Sequence, residues 1–234
     1  MDAIRVAVVN WTSLQDDDVR RGIETLQQQL DQDLGPVWHV DATLELIPSE
    51  FGAGWPGYWG LILLDRTEQD GDRAAAVRHY GHLTSDGHPL ARVFIDGLQA
   101  GEDWTHLASH ELLELLVDPD GSAAVLRTSD APPSLLYAKR ICDPCASPAH
   151  AYHQRGRDVS NFVHPAWFGS AVAGATGRFD HRGVVDGPFR LAEGGSIATV
   201  QLAAPPWHVP HDPFPPGGGG HVGLLAPMKK VWPP

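Results

Sequence analysis

The sequence predicts an α+β protein: a β-sheet built by the first half, one buried helix carrying the chemistry, and an irregular C-terminal half. Three observations lead there. Short β-branched runs alternate with helical periodicity up to residue 119, the stretch from 104 to 117 is apolar on almost every face, and Gly and Pro recur from about residue 120 onward.

The elements follow in order. Ile4 to Asn10 is a β-branched run that reads as a buried strand rather than a secretion signal. Ser13 is placed to cap the helix that follows, and Asp16, Asp17 and Asp18 sit where a helix dipole favours acids. Val19, Ile23, Leu26 and Leu30 recur at three- and four-residue spacing, giving an amphipathic helix that stops near Gly35-Pro36. Val37–Ile47, Trp59–Asp65 and Leu90–Asp96 read as three further strands. A second helix opens at Gly101 and runs to Val117, closed by Pro119 and Gly121.

Beyond it, Tyr137–Ile141, Asp158–Val163 and Ser196–Leu202 are predicted as strands or short extended pieces. From about residue 205 the Pro/Gly-rich tail excludes helix and central strand. The organisation expected is a core over 1–119 and an irregular part over 120–234 that completes the site, together one structural unit.

Composition narrows the function. A formal net charge of -12 speaks against nucleic acid and against an anionic membrane surface. No apolar run approaches the ~18 residues that a span requires. Two cysteines do not make a disulfide framework, so the cytoplasm is the expected compartment.

The informative segment is Trp104-Thr-His-Leu-Ala-Ser-His-Glu-Leu-Leu-Glu-Leu-Leu-Val-Asp-Pro119. Residues four apart on a helix lie about 40° apart around the axis and about 6 Å along it, so His110 and Glu114 can reach one ion. Glu111 lies about 100° from His110, near enough to reach a water there without ligating. Buried carboxylates are costly unless paired or metal-bound, and the leucines around them predict burial. The alternative is an ordinary His110–Glu114 pair with Glu111 bridging to an arginine. His106 would lie about 12 Å from Glu114 along the axis, too far to share the ion.

This HExxE helix after a strand-rich half resembles the zincin metallopeptidase core, whose motif is HExxH. The resemblance implies a mixed β-sheet over the metal helix, with Ala91–Ile95 as the edge strand bordering a substrate cleft. It implies His110 and Glu114 as metal ligands and Glu111 as the catalytic general base. The chain also resembles uncharacterised bacterial zincin-like proteins with an SHExxE…DP helix and a VSNFxxPAWF segment, matched here by Ser109–Pro119 and Val159–Phe168. The departure is Glu at 114 in place of His. It makes the site more anionic and shifts preference modestly toward harder ions such as iron, manganese or calcium.

A third ligand must come from elsewhere. Asp120 stands at the metzincin spacing, but the glycine turn needed at 117 is Val. Asp118 is too far along the helix, and a helix-end contact suits it better. Asp143, in Arg-Ile-Cys-Asp-Pro-Cys145, suits the gluzincin pattern and is preferred over Asp120, His153 and His164. Arg140 sits where a second carboxylate would have helped. Cys142 and Cys145 read as structural, either a local disulfide or packed thiols. His79 and His82 read as exposed loop histidines or as groups that hold substrate, and Tyr137 and Tyr152 are candidates for steadying an oxyanion, although packing explains either tyrosine.

The function expected is a metal-dependent, peptidase-like hydrolase with zinc as cofactor (iron or manganese as alternatives) acting on a peptide or small molecule. The rivals are a non-hydrolytic metalloenzyme tailoring a small metabolite and a catalytically inactive zincin-like binding protein.

Overall fold

The computed structural model describes residues 3–48, 55–65, 83–95, 98, 102–127, 134–169 and 177–202. The chain opens with strand β1 (Ile4–Trp11), helix α1 (Asp16–Gln29), a π-helical turn over Leu30–Leu34 and a short helix α2 (Gly35–Trp38). Strands β2 (Ala42–Ile47), β3 (Trp59–Leu64) and β4 (Leu90–Phe94) follow, then helix α3 (Trp104–Val117). The second half supplies β5 (Ala124–Arg127), β6 (Ser134–Ala138), β7 (Tyr152–Gln154), β8 (Arg157–Val159) and β9 (Thr199–Leu202).

The first four strands form one sheet in the order β2-β1-β3-β4, and every pairing in it is parallel. The mixed sheet implied by the resemblance is therefore corrected to a parallel one. Long connections allow it: α1 carries the chain from the end of β1 back to the start of β2, which a hairpin cannot do. A parallel sheet must be covered on both faces, and Val6, Ala7, Val8 and Val9 are all fully buried. Val6, Val8, Leu61, Leu63 and Val93 face the main core with Leu26, Leu112 and Leu113. Ala7, Val9, Ile62 and Leu90 face the other side with Trp55. Among the described residues β4 stands at one edge of this sheet.

Two boundaries move for local reasons. Gln15, not Ser13, stands at the N-cap of α1 and offers no side-chain cap. The Ser13 amide is instead held by Asp65 Oδ2 at 2.7 Å. The strand expected from Val37 begins only at Ala42, because the chain stays helical through Trp38. Pro36 is tolerated there because it falls in a first helical turn, where no amide hydrogen is needed. Gly35 is required: a Cβ would lie 2.9 Å from both Leu30 O and Val40 O.

Helix α3 starts at Trp104, later than expected, where Asp103 caps it by accepting the Thr105 amide at 3.2 Å. It lies against α1 at Gly22, where an added Cβ would stand 2.2 Å from the Trp104 ring. At its far end, Asp118 accepts the Ser122 and Ala123 amides at 3.3 and 3.1 Å, the helix-end contact expected of it.

In the second half, β5, β6 and β9 form an antiparallel sheet and β7 and β8 a hairpin. Predicted extended pieces over Tyr137–Ile141 and Asp158–Val163 are displaced toward β6 and β8, while β5 and β7 are additions. Residues on both sides of position 119 belong to one compact unit, Met1–Ala204. The tail from 205, with its histidines, lies outside the described residues. Among the described residues no helix is long and apolar enough to cross a membrane.

Candidate metal centre

Helix α3 is apolar almost all round, so its polar residues enter the interior with it. Glu111 and Glu114 are both fully buried, and His110 keeps a narrow exposed edge. Burial of two carboxylates on one helix requires compensation, and the segment 140–145 provides it for Glu114. Glu114 Oε1 accepts the Cys142 amide at 2.7 Å and the Asp143 amide at 3.4 Å. Glu114 Oε2 lies 3.6 Å from the Arg140 guanidinium.

That segment is pinned from several sides. Val163 N donates to Ile141 O at 2.7 Å, Ala192 N to Pro144 O at 2.9 Å and Ser196 N to Asp143 O at 2.9 Å. The approach at Pro144 is so close that a Cβ on Gly195 would lie 2.1 Å from the Pro144 carbonyl oxygen. Asp143 and Pro144 open a single 3-10 turn, Asp143–Cys145. The turn aims Asp143 at the helix, with Oδ1 3.2 Å from His110 Nε2 and Oδ2 accepting from Arg140 Nε at 3.0 Å.

His110, Glu114 and Asp143 thus offer three ligand atoms that all lie within 4.8 Å of one another. One ion with bonds of about 2.0–2.4 Å spans such a set. The 3.2 Å between His110 Nε2 and Asp143 Oδ1 is close to the ~3.4 Å that tetrahedral zinc imposes on neighbouring ligands. It is equally a hydrogen-bond length, so a proton on His110 closes the pair when no ion does. The donor set fits a metal: one imidazole and two carboxylates, partly open to solvent at His110 and Asp143. Glu111 Oε1 lies 4.0 Å from His110 Nε2, beside the ligand cluster and not in it.

The electrostatics are those of a cluster competing for one proton. Burial opposes charge on His110, but the hydrogen bond to Asp143 and the charges of Glu111, Glu114 and Asp143 outweigh it and raise its pKa. Burial also opposes charge on Asp143, yet His110 and Arg140 bring it down to about 2. Burial and the neighbouring Asp143 charge push Glu114 up, against the pull of Arg140.

The other candidates lie elsewhere. Asp120 is exposed in the turn after α3. His153 is exposed on β7 and paired with Asp158 at 2.7 Å. His164 lies tilted against the rings of Phe162 and His181. Tyr152 donates its hydroxyl to Asp33 at 2.7 Å, and Tyr137 packs against Phe189 and Trp167. Cys142 and Cys145 are buried free thiols rather than a disulfide. His79 and His82 lie outside the described residues. A cavity of about 640 Å³ over the second face of the sheet, lined by Trp11, Trp55, Ile62, Leu64 and Phe94 among others, includes none of the cluster.

Two features escaped the sequence reading. Arg140 hydrogen-bonds Asp143 and lies 3.6 Å from Glu114, and its spacing three residues before Asp143 was the available signal. The other is a buried polar seam. Gln29 donates to Ser160 O at 2.9 Å and accepts from Ser109 Oγ at 2.6 Å, joining α1, α3 and the strand end after β8.

Fold and site together define an α+β protein with a His/Glu/Asp cluster shared between a buried helix and the 143–145 turn. In comparisons with known proteins, no family model, no curated protein and no solved structure matches the chain.

Proposed function

We propose that the chain is a metal-dependent, peptidase-like hydrolase of zincin-like type, holding one ion, zinc by preference, on His110, Glu114 and Asp143. The observation that carries this reading is the convergence of three ligand atoms, from a helix and a separate turn, within 4.8 Å. When bound, the ion supplies Lewis acidity and lowers the pKa of a water. Glu111 would be the proton acceptor at such a centre, a role supported by its position 4.0 Å from His110 Nε2. Arg140 and the Cys142 amide fix the Glu114 carboxylate, so its orientation is set before any ion arrives. Substrate, a peptide or a small molecule, approaches along the exposed edge of His110 and Asp143.

A second reading is a zincin-like centre that binds metal without turnover. It is favoured by the full burial of Glu111 and by the cation already seated against both carboxylates. Elemental analysis of untagged protein, paired with a broad peptide library, separates the two. Stoichiometric metal with cleavage supports the hydrolase, and metal without cleavage supports the binding centre. Absence of metal with no uptake on titration removes both.

A further inference from the structure

Each carboxylate of the cluster has at least one oxygen held by a hydrogen bond from the 140–143 segment. Glu114 Oε1 takes the Cys142 amide and Oε2 faces Arg140 at 3.6 Å; Asp143 Oδ1 faces His110 and Oδ2 takes Arg140 Nε at 3.0 Å. Arg140 is only 5% exposed, so its guanidinium is packed in place and does not swing into water. A carboxylate whose second oxygen is held by a fixed cation can give an ion one oxygen, not two.

We infer that Arg140 is the metal-selectivity residue of this centre: by holding Asp143 Oδ2 and setting its charge beside Glu114 Oε2 it restricts Asp143 to single-oxygen ligation and disfavours calcium-type ions. The inference rests on the metal-centre reading above and goes beyond it. Calcium needs six to eight oxygens and takes carboxylates through both oxygens, whereas zinc is satisfied by about four ligands with nitrogen among them. Arg140 also cancels part of the carboxylate charge that attracts hard cations, and the effect is large because the group is buried close to the ion's place. On sequence alone, Glu at 114 moves preference toward harder ions. Arg140 reverses that drift toward a small ion of low coordination number.

The test is titration of the full chain, stripped with chelator, with Zn²⁺, Mn²⁺ and Ca²⁺ separately, in the unaltered protein and in Arg140→Gln. The unaltered protein should take one Zn²⁺ and no Ca²⁺ at millimolar concentration. In Arg140→Gln the affinities for Mn²⁺ and Ca²⁺ should rise at least about tenfold relative to that for Zn²⁺. A Zn²⁺:Ca²⁺ ratio unchanged within about twofold overturns the inference while leaving the centre intact. No uptake of any ion by either protein overturns the centre and the inference with it. If Arg140→Gln does not fold without metal, the readout is which ions restore its tertiary structure. Mn²⁺ and Ca²⁺ as well as Zn²⁺ support the inference, and Zn²⁺ alone overturns it.

Discussion

Ser160 donates its backbone amide to Ser109 Oγ at 3.0 Å, fastening the chain just past β8 to the residue immediately before His110. The same hydroxyl donates to Gln29 Oε1 at 2.6 Å, so one buried oxygen joins three elements. Both contacts are fully desolvated. Ser109→Ala leaves the Ser160 amide and the Gln29 oxygen without these partners, and should cost about 2–4 kcal/mol. Urea unfolding of the metal-free protein measures it. A loss below about 1 kcal/mol would show that water or rearrangement replaces the seam.

Glu114 and Glu111 differ in what they hold, so their variants should diverge. Glu114→Ala removes a ligand and leaves the buried Cys142 amide without its acceptor, which should cost about 1–3 kcal/mol and abolish metal uptake. Glu111→Gln should keep fold and metal while eliminating hydrolysis, because only the proton acceptor is gone. Metal content and peptide cleavage, measured on both, decide the roles. Metal loss in Glu111→Gln with retention in Glu114→Ala inverts them.

Asp143 and Asp120 give a sharper contrast. Asp143 Oδ1 lies 3.2 Å from the imidazole, and Asp120 is exposed outside the cluster. Asp143→Asn should weaken zinc binding at least about tenfold, and Asp120→Asn should leave it within about twofold. Competition with a chromophoric chelator measures both. Equal effects would refute the assignment of Asp143 as third ligand.

How much of this was legible depended on the kind of signal. The helix periodicities, the β-branched run of β1 and the apolar runs of β3 and β4 specify their elements directly, because burial decides them. The His110/Glu114 spacing placed both residues on one face, and their buried setting followed from the leucines around them. What escaped was set by contacts distant in sequence. The delayed start of β2 depends on a π turn and on carbonyls crowding Gly35. The β7–β8 hairpin turns at Arg155-Gly156, both with positive φ, and arginine does not announce such a turn as asparagine does. The parallel pairing of the sheet cannot be read from strand patterns. Arg140 was visible as a residue, but its pairing with Glu114 exists only once the 140–145 turn packs on α3.

The last prediction concerns pH, where His110 and Asp143 act in opposite directions on one proton. The His110 pKa is raised above 6.5 by Asp143 and its neighbours. Its contribution to the stability of the metal-free protein is therefore fully present below 6.5 and lost as pH rises through the folded value. The Asp143 pKa is lowered to about 2, so its contribution is present above 3.8 and lost as pH falls through about 2. Between 3.8 and 6.5 both contributions stand, while the raised Glu114 value works against the metal-free fold from about 4.5 upward. Burial holds His106, His164 and His181 below their usual value, which favours the folded chain at higher pH. A simple stability profile therefore mixes the two trends, and zinc affinity is the cleaner readout. Imidazole must be neutral to ligate, so zinc competes with the His110 proton. Affinity should fall as pH drops through the raised His110 value, by up to about tenfold per pH unit, beginning above 6.5. Asp143→Asn removes the hydrogen bond and charge that raise His110, so the fall should begin at lower pH in that variant, on top of its weaker binding. Isothermal titration at several pH values between 6 and 8.5 measures both curves. Parallel curves for the two proteins would mean that Asp143 does not govern the His110 proton, and that the 3.2 Å contact is structural only.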